Sequence, residues 1–330
     1  MQTRQLGRIT VSAIGLGCMG MSEVYGPADE TESIATIHAA LDAGITLLDT
    51  GDFYAMGSNE MLLRKALQGK PRDSYLLSVK FGGMRDPSGA FVGFDGRPAS
   101  VKNFLGYSLK RLGTDYVDIY RPSRLDAGVP IEETVGAIVD MVDAGYVRNI
   151  GLSEVGADTI TRAHAVHPVA DLQIEYSLFS RGIESQILPT CRELGIGITA
   201  YGVLSRGLLS GRWSKGKPAG GRDMRSHMPR FSGENLNRNL ALVESLRSLS
   251  ISCGCTVAQL AIAWVLSRGE DIVPVVGSRT REQLKETIGA LKVRLSKEDV
   301  NRIEQMIPSG SVAGTRYGAD QMERLDSEKK

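Results

Sequence analysis

Residues 45–63, ITLLDTGDFYAMGSNEMLL, combine a buried strand, a polar loop and the start of a helix. The first four residues are apolar or β-branched, as in a buried strand, and the polar run 49–52 is typical of the loop that follows one. The closing MLL begins an apolar pattern at helical spacing. The segment therefore predicts a strand, a loop and a helix, with the carboxylate of Asp49 and the phenol of Tyr54 on the loop.

A lysine follows the next predicted strand, residues 75–79 in SYLLSVKFGG. An ammonium group at the end of a buried strand is costly unless it is paired, and Asp49 is the obvious partner for Lys80. If the two strands are neighbours in a parallel sheet, both side chains emerge at the same edge, where Lys80 also meets the hydroxyl of Tyr54. We expect Lys80 to lower the pKa of this phenol, which is ordinarily about 10, so that Tyr54 becomes a usable proton donor.

Strand and helix signals alternate along the whole chain. A small hairpin is predicted over residues 2–12, and strand patterns then start near residues 13, 45, 75, 117, 147, 172, 197 and 272, each followed by a helical pattern. Eight parallel strands with crossover helices favour closure into a (β/α)8 TIM barrel. An open doubly wound sheet is the alternative, which is disfavoured because no G-x-G-x-x-G follows the first strand. In a barrel, reacting groups gather at the carboxyl ends of the strands.

Composition fits a globular protein, and we expect residues 1–330 to form a single domain. Hydrophobic residues make up 42% of the chain, which supports a sizeable core, and the net charge of +1 gives no reason to expect nucleic-acid or membrane binding. No signal-peptide pattern or membrane-spanning apolar run is present, and four irregularly placed cysteines suit reduced thiols. We therefore expect a cytoplasmic protein that acts on small molecules and holds no metal.

Two segments stand apart from the alternating pattern. Residues 215–233 are irregular, and their position after the seventh strand predicts a long loop that covers the open end of the barrel. The charged tail, residues 322–330, is expected to fray. Large apolar residues on the predicted loops hint at an apolar substrate, whereas the loop arginines suggest attraction of an anionic substrate or a pyrophosphate. These arginines are Arg222, Arg225 and Arg230.

The combination of acid, phenol and lysine resembles the aldo-keto reductases. The motif of that family, D-x4-Y at the end of the second barrel strand and a lysine at the end of the third, is matched by Asp49, Tyr54 and Lys80. The similarity extends from LGRITVSAIGLGCMGM to IVPVVGSRTREQLKE. The resemblance implies a TIM barrel that reversibly reduces an aldehyde or ketone to the alcohol with NADP(H), in which Tyr54 is the general acid and base.

One catalytic position departs from the family. Where the family has a histidine three residues past the tyrosine of the fourth strand, DIYRPSR has Ser123. A serine hydroxyl donates a hydrogen bond to a substrate oxygen, but it is shorter than imidazole and carries no charge near neutral pH. We expect Tyr54 to remain the acid in a roomier pocket, with Arg121 or Arg124 as an alternative group that polarises the carbonyl.

The resemblance also implies a nicotinamide site. The serine and asparagine that bind the carboxamide in the family are represented by Ser153 and Glu154, and the glutamine by Gln173, so that one of the three differs. Tyr201 matches the aromatic residue that stacks on the nicotinamide ring. The residues after it are expected to line the pyrophosphate: Gly202, Val203, Leu204, Arg206 and Leu208.

A phosphate site is predicted after the eighth strand. Gly277, Ser278 and Arg279 directly precede a helix, where backbone donors and a planar guanidinium suit a phosphate monoester and favour NADP over NAD. Gln283 and Glu286, one and two turns further on, are expected to face the adenosine as they do in the family. The alternative is an ordinary capped surface helix with a basic first turn.

Two other functions fit parts of this pattern. One is an NADP-binding, redox-sensing or regulatory protein with little turnover, similar to the potassium-channel β-subunits that share this fold. The other is a barrel isomerase or aldolase in which Lys80 forms a Schiff base. This last function leaves the group around Arg279 without a ligand.

Overall fold

In the computed structural model, which describes residues 1–22, 24–213 and 223–329, eight parallel strands close into a barrel. The strands in chain order are β1 (Thr3–Leu6), β2 (Ile9–Ser12), β3 (Gly15–Gly17), β4 (Leu47–Gly51), β5 (Leu76–Phe81), β6 (Gly83–Arg85), β7 (Phe91–Phe94), β8 (Val117–Pro122), β9 (Val147–Ser153), β10 (Val169–Glu175), β11 (Gly197–Tyr201) and β12 (Ile272–Gly277). The order around the barrel is β3-β4-β5-β8-β9-β10-β11-β12, and β12 pairs with β3. The prediction of a (β/α)8 barrel is confirmed.

Helices follow the barrel strands and pack against their outer faces, as the alternation predicts. They are α1 (Glu30–Asp42), α2 (Ser58–Leu67), α3 (Pro98–Leu112), α4 (Ile131–Asp143), α5 (Ala157–Val166), α6 (Ile187–Glu193), α7 (Gly233–Ser252), α8 (Val257–Ser267), α9 (Arg281–Gly289), α10 (Lys297–Met306) and α11 (Ala319–Glu323). In the described part of the chain no single helix is long and apolar enough to cross a membrane, although α7 and α8 pass that test together as a pair bent by 85°.

The predicted N-terminal hairpin, β1 and β2, closes the lower end of the barrel. Leu6 is fully buried, and Gly7 adopts a positive φ of 56° where a Cβ atom would lie 2.8 Å from the carbonyl oxygen of Ala170 at the start of β10. A Cβ atom on Gly197, at the start of β11, would lie 2.6 Å from Leu6. Because the hairpin blocks the amino ends of the strands, the carboxyl ends form the other end of the barrel, here called the mouth.

The structure differs from the predictions in three places. Strand β4 extends to Gly51, so Asp49 lies within the strand and not on the loop after it. The antiparallel hairpin β6–β7, which has no regular apolar alternation, was not predicted. Helices α10 and α11, and the residues that pack around them, were also not predicted. Most of the predicted covering loop, including Arg222, lies outside the described residues, so its position over the mouth stays a prediction.

Residues 311–329, here called the C-terminal segment, return to the mouth of the barrel. Leu325 is 2% exposed, and the carboxylate of Asp326 accepts a hydrogen bond from the amide of Gly156 after β9, at 2.9 Å. The amide of Ser327 donates to the carbonyl oxygen of Glu154, at 3.2 Å. The expectation that the tail frays is therefore wrong for residues 322–329.

Candidate active site

The acid, the phenol and the lysine predicted from the sequence meet at the mouth. Strands β4 and β5 are parallel neighbours with Gly51 opposite Lys80, which brings Lys80 Nζ to 2.6 Å from Asp49 Oδ1. The ammonium group also lies 5.1 Å from the centroid of the Tyr54 ring. Asp49 and Lys80 are about 5% exposed, and Tyr54 is 9% exposed. The structure therefore brings the three groups into one buried cluster.

The carboxylate of Asp49 accepts hydrogen bonds from three side chains. Besides Lys80, Ser78 Oγ donates to its Oδ2 at 2.9 Å, and Gln173 Nε2 donates to the same oxygen at 2.7 Å. Arg121 Nη1 lies 3.6 Å from that oxygen. These contacts fix the carboxylate of Asp49, which in turn holds Lys80 in position.

Arg121 lies in the barrel interior, on β8 opposite Lys80 of β5. Its side chain is fully buried, and Nη2 donates to both carboxylate oxygens of Asp171, at 3.0 and 2.8 Å. Asp171 in turn accepts a short hydrogen bond from the hydroxyl of Thr199. Its Nε and Nη1 have no hydrogen-bond partner among the described residues, so the suggestion that Arg121 polarises a substrate carbonyl stays a prediction.

The pKa of Tyr54 moves in the direction opposite to the one expected. Burial raises it well above the ordinary value, and the negative charge of Asp49 adds to the effect. Burial also lowers the pKa of Lys80, although the carboxylate of Asp49 opposes this shift. The prediction that Lys80 lowers the pKa of Tyr54 is therefore wrong. The ammonium group of Lys80 faces the ring of Tyr54, and burial is the largest effect on the pKa of the phenol.

A strained turn fixes the position of Tyr54. Ala55 and Met56 adopt left-handed conformations with φ of 46° and 53°, which are uncommon for residues other than glycine. The ring of Phe53 packs edge-on against that of Tyr54, with centroids 5.0 Å apart. A Cβ atom on Gly83, in β6, would lie only 2.8 Å from Phe53. The unpredicted hairpin therefore supports the phenol through Phe53.

Ser123 and Arg124 stand at the end of β8, beside Lys80 on β5. The amide of Ser123 donates to the carbonyl oxygen of Phe81 at 2.8 Å, which continues the strand pairing. Side chains alternate along a strand, so Ser123 points to the same side as Arg121, toward the barrel axis. Ser123 is 2% exposed, and its Oγ has no hydrogen-bond partner among the described residues. A buried hydroxyl without a partner is a donor available to a ligand.

The predicted carboxamide-binding residues are brought together at the ends of β9 and β10, in different states. Ser153 is 1% exposed, and its Oγ has no partner among the described residues. Gln173 is 2% exposed and donates to Asp49. Glu154, which stands where the family has asparagine, is fully buried and adopts a left-handed φ of 54°. Ser153 is thus free to bind a ligand, whereas the side chains of Gln173 and Glu154 have protein partners.

Three of the hydrogen bonds to the Glu154 carboxylate come from the C-terminal segment. Arg316 Nη1 donates to Oε1 at 2.7 Å and Nη2 to Oε2 at 2.5 Å, and Ser327 Oγ donates to Oε2 at 2.7 Å. Burial alone would raise the pKa of Glu154, but the charge of Arg316 outweighs it and holds the pKa well below the ordinary value. Glu154 is therefore an ionised anchor for the C-terminal segment.

Tyr201, the predicted stacking residue, is also engaged by this segment. Its hydroxyl donates to Glu154 Oε1 at 2.7 Å and lies 3.0 Å from the hydroxyl of Tyr317. Tyr317 is 9% exposed, and the guanidinium of Arg206 lies 4.6 Å from its ring centroid. The sequence places Tyr201 at the mouth, but in this state of the chain its hydroxyl is tied to neighbouring side chains.

The turn after β11 is shaped around a second buried acid, Glu175. Arg206 Nη2 lies 2.9 Å and Arg230 Nη1 3.3 Å from its carboxylate, so these two predicted residues act here through an ion pair. Gly202 has a φ of 66°, and a Cβ atom there would lie 3.0 Å from the Glu175 side chain, which explains the glycine. The remaining residues predicted to line the pyrophosphate follow in the same turn: Val203, Leu204 and Leu208.

The predicted phosphate residues lie together at the start of α9. Thr280 caps this helix, and the side chain of Gln283 accepts a hydrogen bond from the amide of Arg279 at 2.8 Å. The guanidinium of Arg279 donates to the carbonyl oxygens of Tyr25 and Pro27, at 3.2 and 3.3 Å, and has no carboxylate within salt-bridge distance in the described ranges. Gly277, which is exposed, and Ser278, which is buried, precede this helix, whereas Glu286 lies in its second turn and pairs with Arg212 at 3.0 Å.

Sequence reasoning missed the contribution of the C-terminal segment. Arg316 and Tyr317 occur in a stretch, GTRYGAD, with no periodic pattern and no known spacing to the barrel motifs. The only signal was Glu154, because a carboxylate at a buried position requires a cation. That argument predicts a basic partner but does not identify which of the 39 lysines and arginines supplies it.

Comparison with known proteins agrees with this geometry. Residues 13–308 match the sequence model of a family described as "Aldo/keto reductase family". The chain is 43% identical over 312 residues to "Probable aldo-keto reductase 1" of Glycine max, a match that covers 93% of this chain and 88% of that protein.

Two solved structures illustrate the similarity in fold. The glycerol dehydrogenase AKR11B4 from Gluconobacter oxydans is 27% identical with a TM-score of 0.84, and the match covers 92% of this chain and 94% of that one. The aldo-keto reductase AKR11C1 from Bacillus halodurans, solved in its holo form, is 27% identical with a TM-score of 0.78, and the match covers 94% and 97% of the two chains.

The family match spans the barrel from its first strand to the end of α10, and the curated relative is similar over nearly the full length. Members of this family are oxidoreductases that act on carbonyl groups with a nicotinamide cofactor. The fold, the sequence match and the cluster at the mouth lead to the same conclusion: the chain belongs to the aldo/keto reductase family.

Proposed function

We propose that the protein is an NADPH-dependent reductase of aldehydes or ketones in which Tyr54 donates the proton. The observation that carries this proposal is the placement of Lys80 between the carboxylate of Asp49, at 2.6 Å, and the ring of Tyr54, at 5.1 Å, in a buried cluster at the mouth. When bound, a reduced nicotinamide supplies the hydride. The residues of the chain deliver the proton and stabilise the charge that develops.

The raised pKa of Tyr54 suits the direction of reduction. A phenol with a pKa well above its ordinary value is protonated throughout the neutral range, so its proton is always available. An alkoxide oxygen is a stronger base than a phenolate and takes the proton. Lys80, beside the ring, then stabilises the phenolate, and Asp49 keeps the lysine charged and in place. Ser123 Oγ is a second donor for the substrate oxygen, in the position of the family's histidine.

Several residues fit a bound NADPH. The unpartnered hydroxyl of Ser153 suits the carboxamide, and the guanidinium of Arg279, near the N-terminus of α9, suits the 2′-phosphate. The residues after β11, with left-handed conformations at Ser205 and Arg206, form a turn suited to the pyrophosphate. Tyr201 and Gln173 are held by other side chains, so their roles require those hydrogen bonds to be exchanged.

Replacement of the phenol tests the proton donor. Tyr54→Phe should lower kcat for reduction of 4-nitrobenzaldehyde by about 100- to 10,000-fold, because the proton has no other donor of matching position. NADPH binding, measured by quenching of protein fluorescence, should change little. Unchanged turnover would remove Tyr54 from this role. Tyr107→Phe, at an exposed position of α3, is the matched control.

Replacement of the guanidinium near α9 tests the choice of cofactor. Arg279→Ala should weaken NADPH binding by about 10- to 100-fold, since it removes charge-assisted hydrogen bonds to a phosphate. Binding of NADH should change much less. Equal losses for the two cofactors would contradict recognition of the 2′-phosphate. Arg281→Ala is the control, because Arg281 lies in the same turn but pairs with Glu32 at 2.8 Å.

A second candidate is an NADP-binding protein with little turnover. The observation that favours it is the engagement of Glu154 and Tyr201 by the C-terminal segment, together with serine in place of histidine at position 123. Steady-state kinetics of the unmodified protein separate the two functions. Tight NADPH binding without reduction of 4-nitrobenzaldehyde would support the second candidate.

A further inference from the structure

The buried cations around Tyr54 are paired, with one exception among the described residues. Lys80 faces Asp49, Arg206 faces Glu175 and Arg316 faces Glu154, each at 2.9 Å or less. Arg124 has no carboxylate within salt-bridge distance in the described ranges. A cation that is partly removed from water loses hydration that an anion normally compensates, so an unpaired guanidinium beside such a paired set indicates a site for an anionic ligand.

The hydrogen bonds of Arg124 leave most of its donors free. Nη1 donates to the carbonyl oxygen of Ser123 at 2.6 Å, and Nη2 makes a long contact of 3.4 Å with the hydroxyl of Tyr317. A guanidinium has five N–H donors in a planar fork that matches a carboxylate. Arg124 is half-buried, so it remains accessible from the mouth.

Arg124 lies on the substrate side of the barrel. It follows β8, which pairs with β5, the strand that carries Lys80. Its positive charge acts on Tyr54, where it opposes the upward shift that burial imposes on the pKa of the phenol. The residues proposed for the phosphate groups of NADPH follow β11 and β12, on other strands of the barrel. Arg124 therefore follows the strand next to that of Lys80, whereas the proposed phosphate sites follow other strands.

A hydroxyl beside Arg124 supplies an independent indication of a ligand. Ser123 Oγ is buried, points toward the barrel axis and has no hydrogen-bond partner in the described part of the chain. A buried polar atom of this kind costs free energy unless a ligand or water satisfies it. Ser123 thus presents a neutral donor toward the barrel axis, and Arg124 presents a cationic donor beside Tyr317 at the mouth.

We propose that the preferred substrates are carbonyl compounds that also carry a carboxylate group, which Arg124 binds while Tyr54 and Ser123 contact the carbonyl oxygen. This proposal rests on the reductase function proposed above and names its substrate class. The reaction stays balanced: hydride adds to the carbonyl carbon, the proton of Tyr54 goes to the oxygen, and the carboxylate is unchanged. A neutral carbonyl compound leaves Arg124 without its anion and should bind more weakly.

A matched pair of aromatic aldehydes tests the substrate class. We expect kcat/KM of the unmodified protein, with saturating NADPH, to be about 10- to 100-fold higher for 4-formylbenzoate or 3-formylbenzoate than for the methyl ester of the same acid, mainly through KM. The esters have the same reacting group and almost the same shape. Equal or higher values for both esters would overturn the proposal, whereas no turnover of any of the four would count against the reductase function itself.

Variants of the arginine assign the preference to Arg124. Arg124→Met should lower kcat/KM for the acid at least about tenfold more than for the ester, and Arg124→Lys should recover part of the loss. The control, Arg8→Met, removes the same charge from the hairpin at the opposite end of the barrel and should keep the preference. If Arg124→Met weakens NADPH binding and lowers kcat/KM equally for both aldehydes, the guanidinium serves the cofactor and the proposal is wrong.

Inhibition by product-like anions gives a measurement that needs no variant. Benzoate should compete with 4-nitrobenzaldehyde at least about tenfold more strongly than benzamide, which has a similar shape but no charge. The inhibition by benzoate should weaken as salt is added, because the guanidinium is half-exposed. Similar inhibition constants for the two compounds would contradict an anion site beside Tyr54.

Discussion

Glu154 shows how one substitution changes the surroundings of an active site. Asparagine tolerates the left-handed conformation better than glutamate does, so a φ of 54° at Glu154 carries a cost in strain. Two nitrogens of Arg316 and the hydroxyl of Ser327 hold this carboxylate in place. The position whose asparagine binds the carboxamide in the family therefore carries a glutamate here, and this glutamate binds the C-terminal segment.

Removal of the Glu154 carboxylate should destabilise the fold. Glu154→Gln removes one anion of the buried Arg316, which keeps Glu328 at 2.8 Å and Glu175 at 3.7 Å, so the free energy of unfolding should fall by about 1–3 kcal/mol. Because the pKa of Glu154 is lowered in the fold, the contribution is complete above the unfolded-state pKa of about 4.3 and is lost as the pH falls below it. Urea denaturation at pH 7 and at pH 4 measures both effects.

The matched control for this change is an exposed ion pair. Glu132→Gln removes the partner of Arg162, where both side chains are more than a third exposed, and should leave the urea midpoint almost unchanged. The double variant Glu154→Gln with Arg316→Met should be less destabilised than the sum of the two single variants, because the two side chains interact directly. Additive losses would show that the pair contributes no coupling.

At the level of elements, local patterns predicted the regular parts of the barrel. The strands that carry Asp49, Lys80 and Tyr201 and the helix after Arg279 appear where periodicity placed them, within a few residues. Their apolar runs and capping residues act over short separations, which a single sequence reveals. The order of the strands then follows from the preference for parallel crossover connections.

The elements that were missed depend on long-range contacts. Hairpin β6–β7 has exposed Phe91 and Val92 and no alternation, and its position depends on the contact of Gly83 with Phe53. The C-terminal segment is fixed by Arg316, which lies 162 residues from Glu154 in the sequence. No periodic signal connects such partners, so their pairing requires the three-dimensional structure.

The candidate site likewise has features that the sequence predicts and features that it does not. The clustering of Asp49, Tyr54 and Lys80 was predictable because the acid and the lysine lie on neighbouring parallel strands and the tyrosine follows the first of them. The sign of the pKa shift at Tyr54 was not, because it depends on how completely the mouth is covered. Burial, to which residues distant in sequence contribute, is the largest cause of that shift.

For the molecule as a whole, two groups of buried charges have opposite effects on stability. Glu154 and Glu175 are held ionised by arginines, which favours the fold at neutral pH. Asp52 and Glu60 have raised pKa values, because burial outweighs the opposing charge of Arg111. A carboxyl group that is harder to ionise in the fold than in the unfolded chain disfavours the fold at higher pH.

Asp52 should therefore make the protein less stable as the pH rises. Burial, and then the charge of Glu60, raises its pKa to about 7, against about 3.9 in the unfolded chain. Between these values the folded state retains a proton that the unfolded state has lost, so the free energy of unfolding falls from pH 4 to pH 7. Asp52→Asn removes this titrating carboxyl group, so the variant should not lose stability in this way. From pH 4 to pH 8, its free energy of unfolding should rise by up to about 4 kcal/mol relative to that of the unmodified protein. Urea denaturation at pH 4, 6 and 8 measures this difference, and Asp115→Asn, at an exposed position, is the control. A pH profile for Asp52→Asn parallel to that of the unmodified protein would show that the Asp52 carboxyl group ionises normally in the fold.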